Sequence, residues 1–150
     1  MYSVIIVNDA RDLERCFSIR REVFVAEQRV PEADEWDGRD PECTHFLAIA
    51  DDDMNQAVGT ARFCVLEDGN AKVQRVAVVL TARQKGVGRL LMSAVEKEAL
   101  RRGFDALSLS AQTHSIDFYQ RLGYHAFGDI YDDAGIPHRN MKKHLGATDV

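Results

Sequence analysis

The sequence predicts one α/β domain built on a mixed β-sheet, and three observations carry that expectation. The length of 150 residues suits a single domain over 1–150, with no repeat, low-complexity tract or Pro/Ser-rich linker to divide it. Hydrophobic residues at 45% and charged residues at 29% give the balance of a soluble globular chain with enough apolar mass for a core. Apolar periodicity then alternates between strand-like and helix-like repeats, in the order β-α-βββ-α-β-α-ββ.

The elements follow in turn. Ser3 to Val7 is a short β-branched run and reads as a strand. Arg11 to Gln28 carries Leu13, Cys16, Phe17, Ile19, Val23, Phe24 and Ala26 at helical spacing, and Pro31 with the acids after it ends the helix. His45 to Ala50 and Ala57 to Leu66 read as strands around a turn at 51–55. Asp68-Gly69 tolerates the positive φ of a second hairpin turn into a strand from Lys72 to Val79. Val87, Leu90, Leu91, Ala94, Val95 and Ala99 form the apolar stripe of a helix. It ends at Arg101-Arg102-Gly103, where cations meet the negative end of the dipole and a glycine stops the turn. Leu107 to Leu109 is a short strand, and His114 to Arg121 is a short helix stopped by Gly123. Tyr124 to Phe127 and Arg139 to His144 complete the sheet.

Charge is segregated. Between Pro31 and Thr44 six acids face one base, and this segment carries the whole net charge of −5. It reads either as a solvated loop or as a field that gathers a cationic amine. Between Lys72 and Arg102 eight bases face two acids. A negative total argues against a dedicated nucleic-acid binder. No run approaches the roughly 18 apolar residues of a membrane helix, and the first residues carry no basic leader, so a cytoplasmic protein is expected. Cys16, Cys43 and Cys64 are odd in number and include no CxxC pair. Neither a disulfide framework nor a zinc site is expected, and all three read as reduced thiols. His45, His114 and His138 are not in metal-ligand spacing.

One constellation carries chemistry. The strand ending at Val79 is followed by Arg83-Gln84-Lys85-Gly86-Val87-Gly88-Arg89 and then by the amphipathic helix. Glycines let a backbone approach a ligand, first-turn N–H groups are unpaired, and the helix dipole favours negative charge. With Arg83, Lys85 and Arg89 nearby, a diphosphate is the natural guest. A P-loop is excluded because no Lys-Ser or Lys-Thr follows Gly88, and a dinucleotide fingerprint because only two glycines are present. Thr81 to Gln84 matches a capping box, but a phosphate loop needs those residues irregular.

Arg-x-x-Gly-x-Gly after a strand resembles motif A of the GNAT acetyltransferase superfamily. Phe118-Tyr119-Gln120-Arg121-Leu122-Gly123-Tyr124 is similar to that family's FYxxxGF segment. Arg20 to Gln28, Glu35-Trp36-Asp37 and His45 upstream resemble the ElaA-like branch, as do Ala111-Gln112-Thr113-His114 and Asp133 to His138 downstream. The resemblance covers nearly the whole chain. It departs at two positions, Gln112 where many members carry Asn and Ser115 where many carry Ala.

The resemblance implies a GNAT-like fold whose sheet splays between 73–79 and 106–110, acetyl-CoA as co-substrate, and no metal. It implies coenzyme contacts from Val76, Ala77 and Val78 on the strand and from Arg83, Gln84, Lys85, Gly86, Val87, Gly88 and Arg89 on the loop. Gln112, Ser115 and Phe118 complete the coenzyme side, while Phe24, Gln28, His114 and His138 fall on the acceptor side. The implied reaction is direct attack by a primary amine, of a small molecule or a peptide, in a ternary complex. An aliphatic ammonium loses its proton near pH 10, so a base is needed at neutrality, with Glu27 first and Glu35 second. Tyr119 would donate to the leaving thiolate, and Cys64 is left as a packing residue. The rival reading is a non-catalytic acyl-CoA-binding or regulatory module of the same fold. Neither nucleic acid nor membrane is expected as a partner, and the state stays open between monomer and homodimer.

Overall fold

Seven strands form one mixed sheet in the order β1-β2-β3-β4-β5-β7-β6, in a computed structural model that describes residues 1–52 and 54–146. Strands β1 (Tyr2–Ile6), β2 (Thr44–Ala50), β3 (Ala57–Val65) and β4 (Ala71–Val78) are antiparallel neighbours joined in chain order. Asp53, in the turn expected at 51–55, lies outside the described residues. The second group, β5 (Ala106–Gln112), β6 (His125–Asp133) and β7 (Ile136–His144), is also antiparallel. The last two strands reach beyond their expected limits because the Ala134-Gly135 turn, both residues at positive φ, closes a long hairpin.

Helix α1 (Ala10–Arg20) covers one face of the sheet. Asp9 caps it, its carboxylate accepting from Asp12 N–H at 2.8 Å. The single helix expected over 11–28 changes character midway, as Arg21–Glu27 continues with π-helical geometry. There the Gln28 N–H donates to the Val23 carbonyl, one residue farther back than in an α-helix. The acidic segment is not wholly irregular either, since it contains the short helix α2 (Glu32–Glu35) and a 3₁₀ turn, Asp40–Glu42. Helix α3 (Val87–Arg101) covers the opposite face with Val87, Leu91, Met92, Val95 and Ala99 buried, while Leu90 lies at the exposed border of that stripe. Helix α4 (Ile116–Arg121) follows a 3₁₀ turn, Thr113–Ser115, after β5. No helix among the described residues is long and apolar enough to cross a membrane.

The cysteines correct one expectation. Cys43 and Cys64 form a disulfide, with Cα atoms 4.7 Å apart, and only Cys16 is free. Pairing of Thr44 with Phe63 sets Cys43, just before β2, against Cys64 of β3, an adjacency that a sequence separation of 21 conceals. Cys16 is buried, and burial pushes its thiol up to about 11, which suits packing rather than reactivity.

Candidate active site

The sheet is nearly divided between β4 and β5, its only parallel neighbours among the described strands. They pair at Lys72 with Ser108 and at Val73 with Leu109, and no farther. Beyond those two pairs, Gln74 to Val78 and Ser110 to Gln112 diverge as the walls of a gap. A β-bulge adds to the divergence, because Arg75 and Val76 together oppose Ala61, and Arg75 takes a left-handed φ of 57° within the strand. The backbone edge from Gln74 to Val78 is therefore free to pair with an extended guest.

Over one side of this gap stands the N-terminus of α3. Gly86 is its N-cap at φ 85°, and no side chain caps the helix, so its first-turn N–H groups remain available to an anion. Leu80–Ala82 forms a 3₁₀ turn, and Gln84 also adopts a left-handed φ. Thr81 therefore caps nothing. Lys85 and Arg89 are exposed beside the loop. Arg83 is committed elsewhere: its Nε donates to the Val78 carbonyl at 2.9 Å, and its two terminal nitrogens donate to Glu27. Positive charge at the loop thus comes from Lys85, Arg89 and the helix end.

Helix α4 closes the same end of the gap. A Cβ on Gly88 would stand 3.0 Å from Phe118 Cζ, so the glycine admits that ring against the start of α3. Phe118 in turn meets Tyr119 edge to face with centroids 4.9 Å apart. Tyr119 is buried, and burial alone raises its hydroxyl above the ordinary tyrosine range, so it stays protonated at neutral pH. Tyr124, the neighbouring ring, donates instead to Glu96 at 2.8 Å. Ser115 precedes α4 without capping it, and His114 is exposed in the adjoining turn.

On the α1 side, the π-helical turn delivers Gln28 to Gln112 at the end of β5. Their amides bond reciprocally, at 3.2 and 2.8 Å. His138 pairs with Gln112 on the neighbouring strand and so shares its face. Phe24 packs within the core cluster.

The candidate bases are both engaged. The hydrogen bonds from Arg83 hold Glu27 below the ordinary carboxylate range. Glu35 is 3% exposed, accepts from Arg20 Nε at 2.8 Å and lies 3.1 Å from Arg75 Nε. The acidic segment is docked through Glu35, Asp37 and Asp40, while Glu32, Asp34 and Glu42 stay exposed. Asp40 accepts from Arg20 and Arg62 at 2.7 and 2.8 Å, and Asp37 accepts from Arg62 at 2.6 Å. Arg20 and Arg62, each 1% exposed, are the residues that the sequence reading missed. The signal was an arginine inside each of two otherwise apolar periodic runs, matched in number by nearby acids. Among the described residues no three metal-ligating side chains converge.

A strand gap beside an uncapped helix N-terminus makes a site suited to an extended, anionic guest. The chain belongs to the GNAT acetyltransferase family, whose Acetyltransferase (GNAT) domain model matches residues 11–145. N-acetyltransferase YjcF of Bacillus subtilis, itself uncharacterized, is 36% identical over 140 residues, spanning 93% of this chain and 97% of that protein. An acyl-CoA N-acyltransferase from Pseudomonas aeruginosa superposes with a TM-score of 0.81 at 30% identity, over 95% of this chain and 98% of that one. ElaA of Escherichia coli superposes with a TM-score of 0.82 at 27% identity, over 96% and 99% of the two chains.

Proposed function

We propose that this chain transfers the acetyl group of acetyl-CoA to a primary amine of a small molecule or peptide, by direct attack in a ternary complex. The observation that carries the reading is the free edge of β4 from Gln74 to Val78, opening beneath the uncapped start of α3. The pantetheine arm would add to that edge as a strand, through Val76 and Val78. The diphosphate would sit on the amides from Gln84 to Arg89. A β4 amide aimed at the thioester oxygen would stabilise the charge that grows there. As the carbon–sulfur bond breaks, the neutral Tyr119 hydroxyl would supply a proton or hydrogen bond to the sulfur.

Acyl transfer of this kind needs no metal. The reading includes a cytoplasmic setting, in which the Cys43–Cys64 bond would be open to reduction. Acetyl-CoA should raise the melting temperature, and a panel of glucosamine, spermidine, lysine, an aminoglycoside and a short peptide should reveal an acceptor through thiol release. Binding with no turnover across the panel would favour the acyl-CoA-binding module instead. No thermal shift at all would remove both readings.

A further inference from the structure

The proposed reaction, on which this inference rests, leaves one task without a residue: removing the proton of the incoming ammonium. Glu35 is buried under Arg20, and Glu27 is held by Arg83 through both oxygens. His138 is placed differently. Its Nδ1 lies 2.7 Å from the carbonyl of Ile136, and since a carbonyl only accepts, Nδ1 carries the hydrogen. In its neutral form the ring then keeps its lone pair on Nε2.

The ring is also held still. It stacks on Tyr131 with planes 25° apart, and the Tyr131 hydroxyl is tied to Asn140 at 2.9 Å and to Ser110. Its location follows from register. Three residues beyond the Val73–Leu109 pair, Gln112 ends β5, the strand that walls the gap opposite β4. His138 stands directly opposite Gln112 on β7, on the same face. Groups facing it from the surrounding elements are Gln112 and Ser110 of β5, Tyr131 of β6 and Gln28 after the π-helical turn. Arg139, next along β7, points to the other face and donates to the Gly128 carbonyl.

We propose that His138 is the general base: Nε2 takes the ammonium proton as the amine nitrogen attacks the thioester carbon. The nitrogen–carbon bond forms and the carbon–sulfur bond breaks; the thiolate takes a proton from Tyr119 or water, the adduct nitrogen's second proton restores that donor, and the imidazolium returns the first proton to solvent. The ion pairs on Glu27 and Glu35 are then structural and stay intact through the cycle.

Two measurements decide this. Nitrogen-15 NMR of the histidine rings at pH 8 should show His138 as the Nδ1–H tautomer, and an Nε2–H tautomer overturns the proposal. For turnover, His138→Ala is compared with wild type at pH 7.5, using acetyl-CoA with either spermidine or lysine, whichever wild type acetylates faster. That amine arrives as an ammonium, whereas hydroxylamine, the second acceptor, is mostly neutral. The alkylammonium reaction should fall by about 10²–10⁴-fold and recover partly with added imidazole, while the hydroxylamine reaction falls by less than about tenfold. Equal losses for both acceptors with no rescue would make His138 a packing residue. No thiol release by wild type from either acceptor would instead sink the acetyl-transfer reading, and the base with it.

Discussion

Both carboxylate oxygens of Glu27 accept from Arg83, at 2.6 Å each, joining the end of the first helix to the loop before α3. The pair is only partly covered, with side chains 40% and 33% exposed, so it contributes at most about 1 kcal/mol to stability. Its larger expected effect is to neutralise a cation beside the proposed anion site. Glu27→Gln should leave the melting temperature nearly unchanged and tighten coenzyme A binding about fivefold at low salt, or roughly 1 kcal/mol. Calorimetric titration checks this. Unchanged or weaker binding would show that Arg83 lies beyond the reach of the phosphates.

The two loop glycines should fail in different ways. At Gly86 an added Cβ meets nothing within 4 Å, but φ is 85°, so Gly86→Val strains the cap and should abolish the coenzyme-induced thermal shift while the fold remains. At Gly88 the obstacle is Phe118 Cζ at 3.0 Å. Gly88→Ala should displace that ring and with it Tyr119, lowering kcat more than coenzyme affinity. Thermal shift and steady-state kinetics on both variants separate the two effects.

Tyr119 and Tyr124 form a matched control. Tyr119→Phe removes a hydroxyl that no described hydrogen bond uses, so kcat should drop about 10²–10⁴-fold with the melting temperature and acetyl-CoA affinity kept. Tyr124→Phe deprives Glu96 of a donor and should cost about 1–3 kcal/mol of stability with kcat largely preserved. Exchanged outcomes would assign the chemistry to the wrong ring.

Acid sensitivity follows from the docked segment. Hydrogen bonds from Arg62 hold Asp37 below the ordinary carboxylate range. Burial opposes the shift at Asp40, yet hydrogen bonds from Arg20 and Arg62 outweigh it and its carboxyl is lowered too. A depressed folded value means the stabilisation is full above the unfolded aspartate value near 3.9 and is lost as pH falls below it. Melting temperature should hold between about pH 7 and 5 and fall steeply below about pH 4. Asp37→Asn should be less stable at pH 7 but show a shallower fall between pH 4 and 2.5. A parallel curve would place the acid-sensitive group elsewhere.

Much of the architecture was legible because apolar spacing and turn chemistry agree locally, as in the 87–101 helix and the Asp68-Gly69 hairpin. The loop from Arg83 to Arg89 was legible for the same reason, since its glycines, strand and helix are contiguous. What escaped depends on partners distant in the chain. Glu35 and Asp40 look like solvated acids until folding brings Arg20 and Arg62 against them. Glu27 looks like a free base until Arg83, 56 residues away, occupies it. The bulge at Arg75 and the π-helical turn from Arg21 are backbone choices set by packing, with no glycine or proline to announce them.

The two registered pairs between β4 and β5 have a consequence for the order in which the molecule opens. Strands β1 to β4 form a meander whose ladder is complete without the rest, and β5, β7 and β6 form a second ladder of their own. Those two pairs, the Ser108 hydroxyl on the Ala71 carbonyl and the helices packed over the junction join the halves as one sheet. Amide exchange should therefore resolve two cooperative units, with Lys72, Val73, Ser108 and Leu109 exchanging as fast as the weaker one. A strand-like guest in the gap would bridge the units along their shared edge, so acyl-CoA should slow exchange in both halves at once and merge them into one unit.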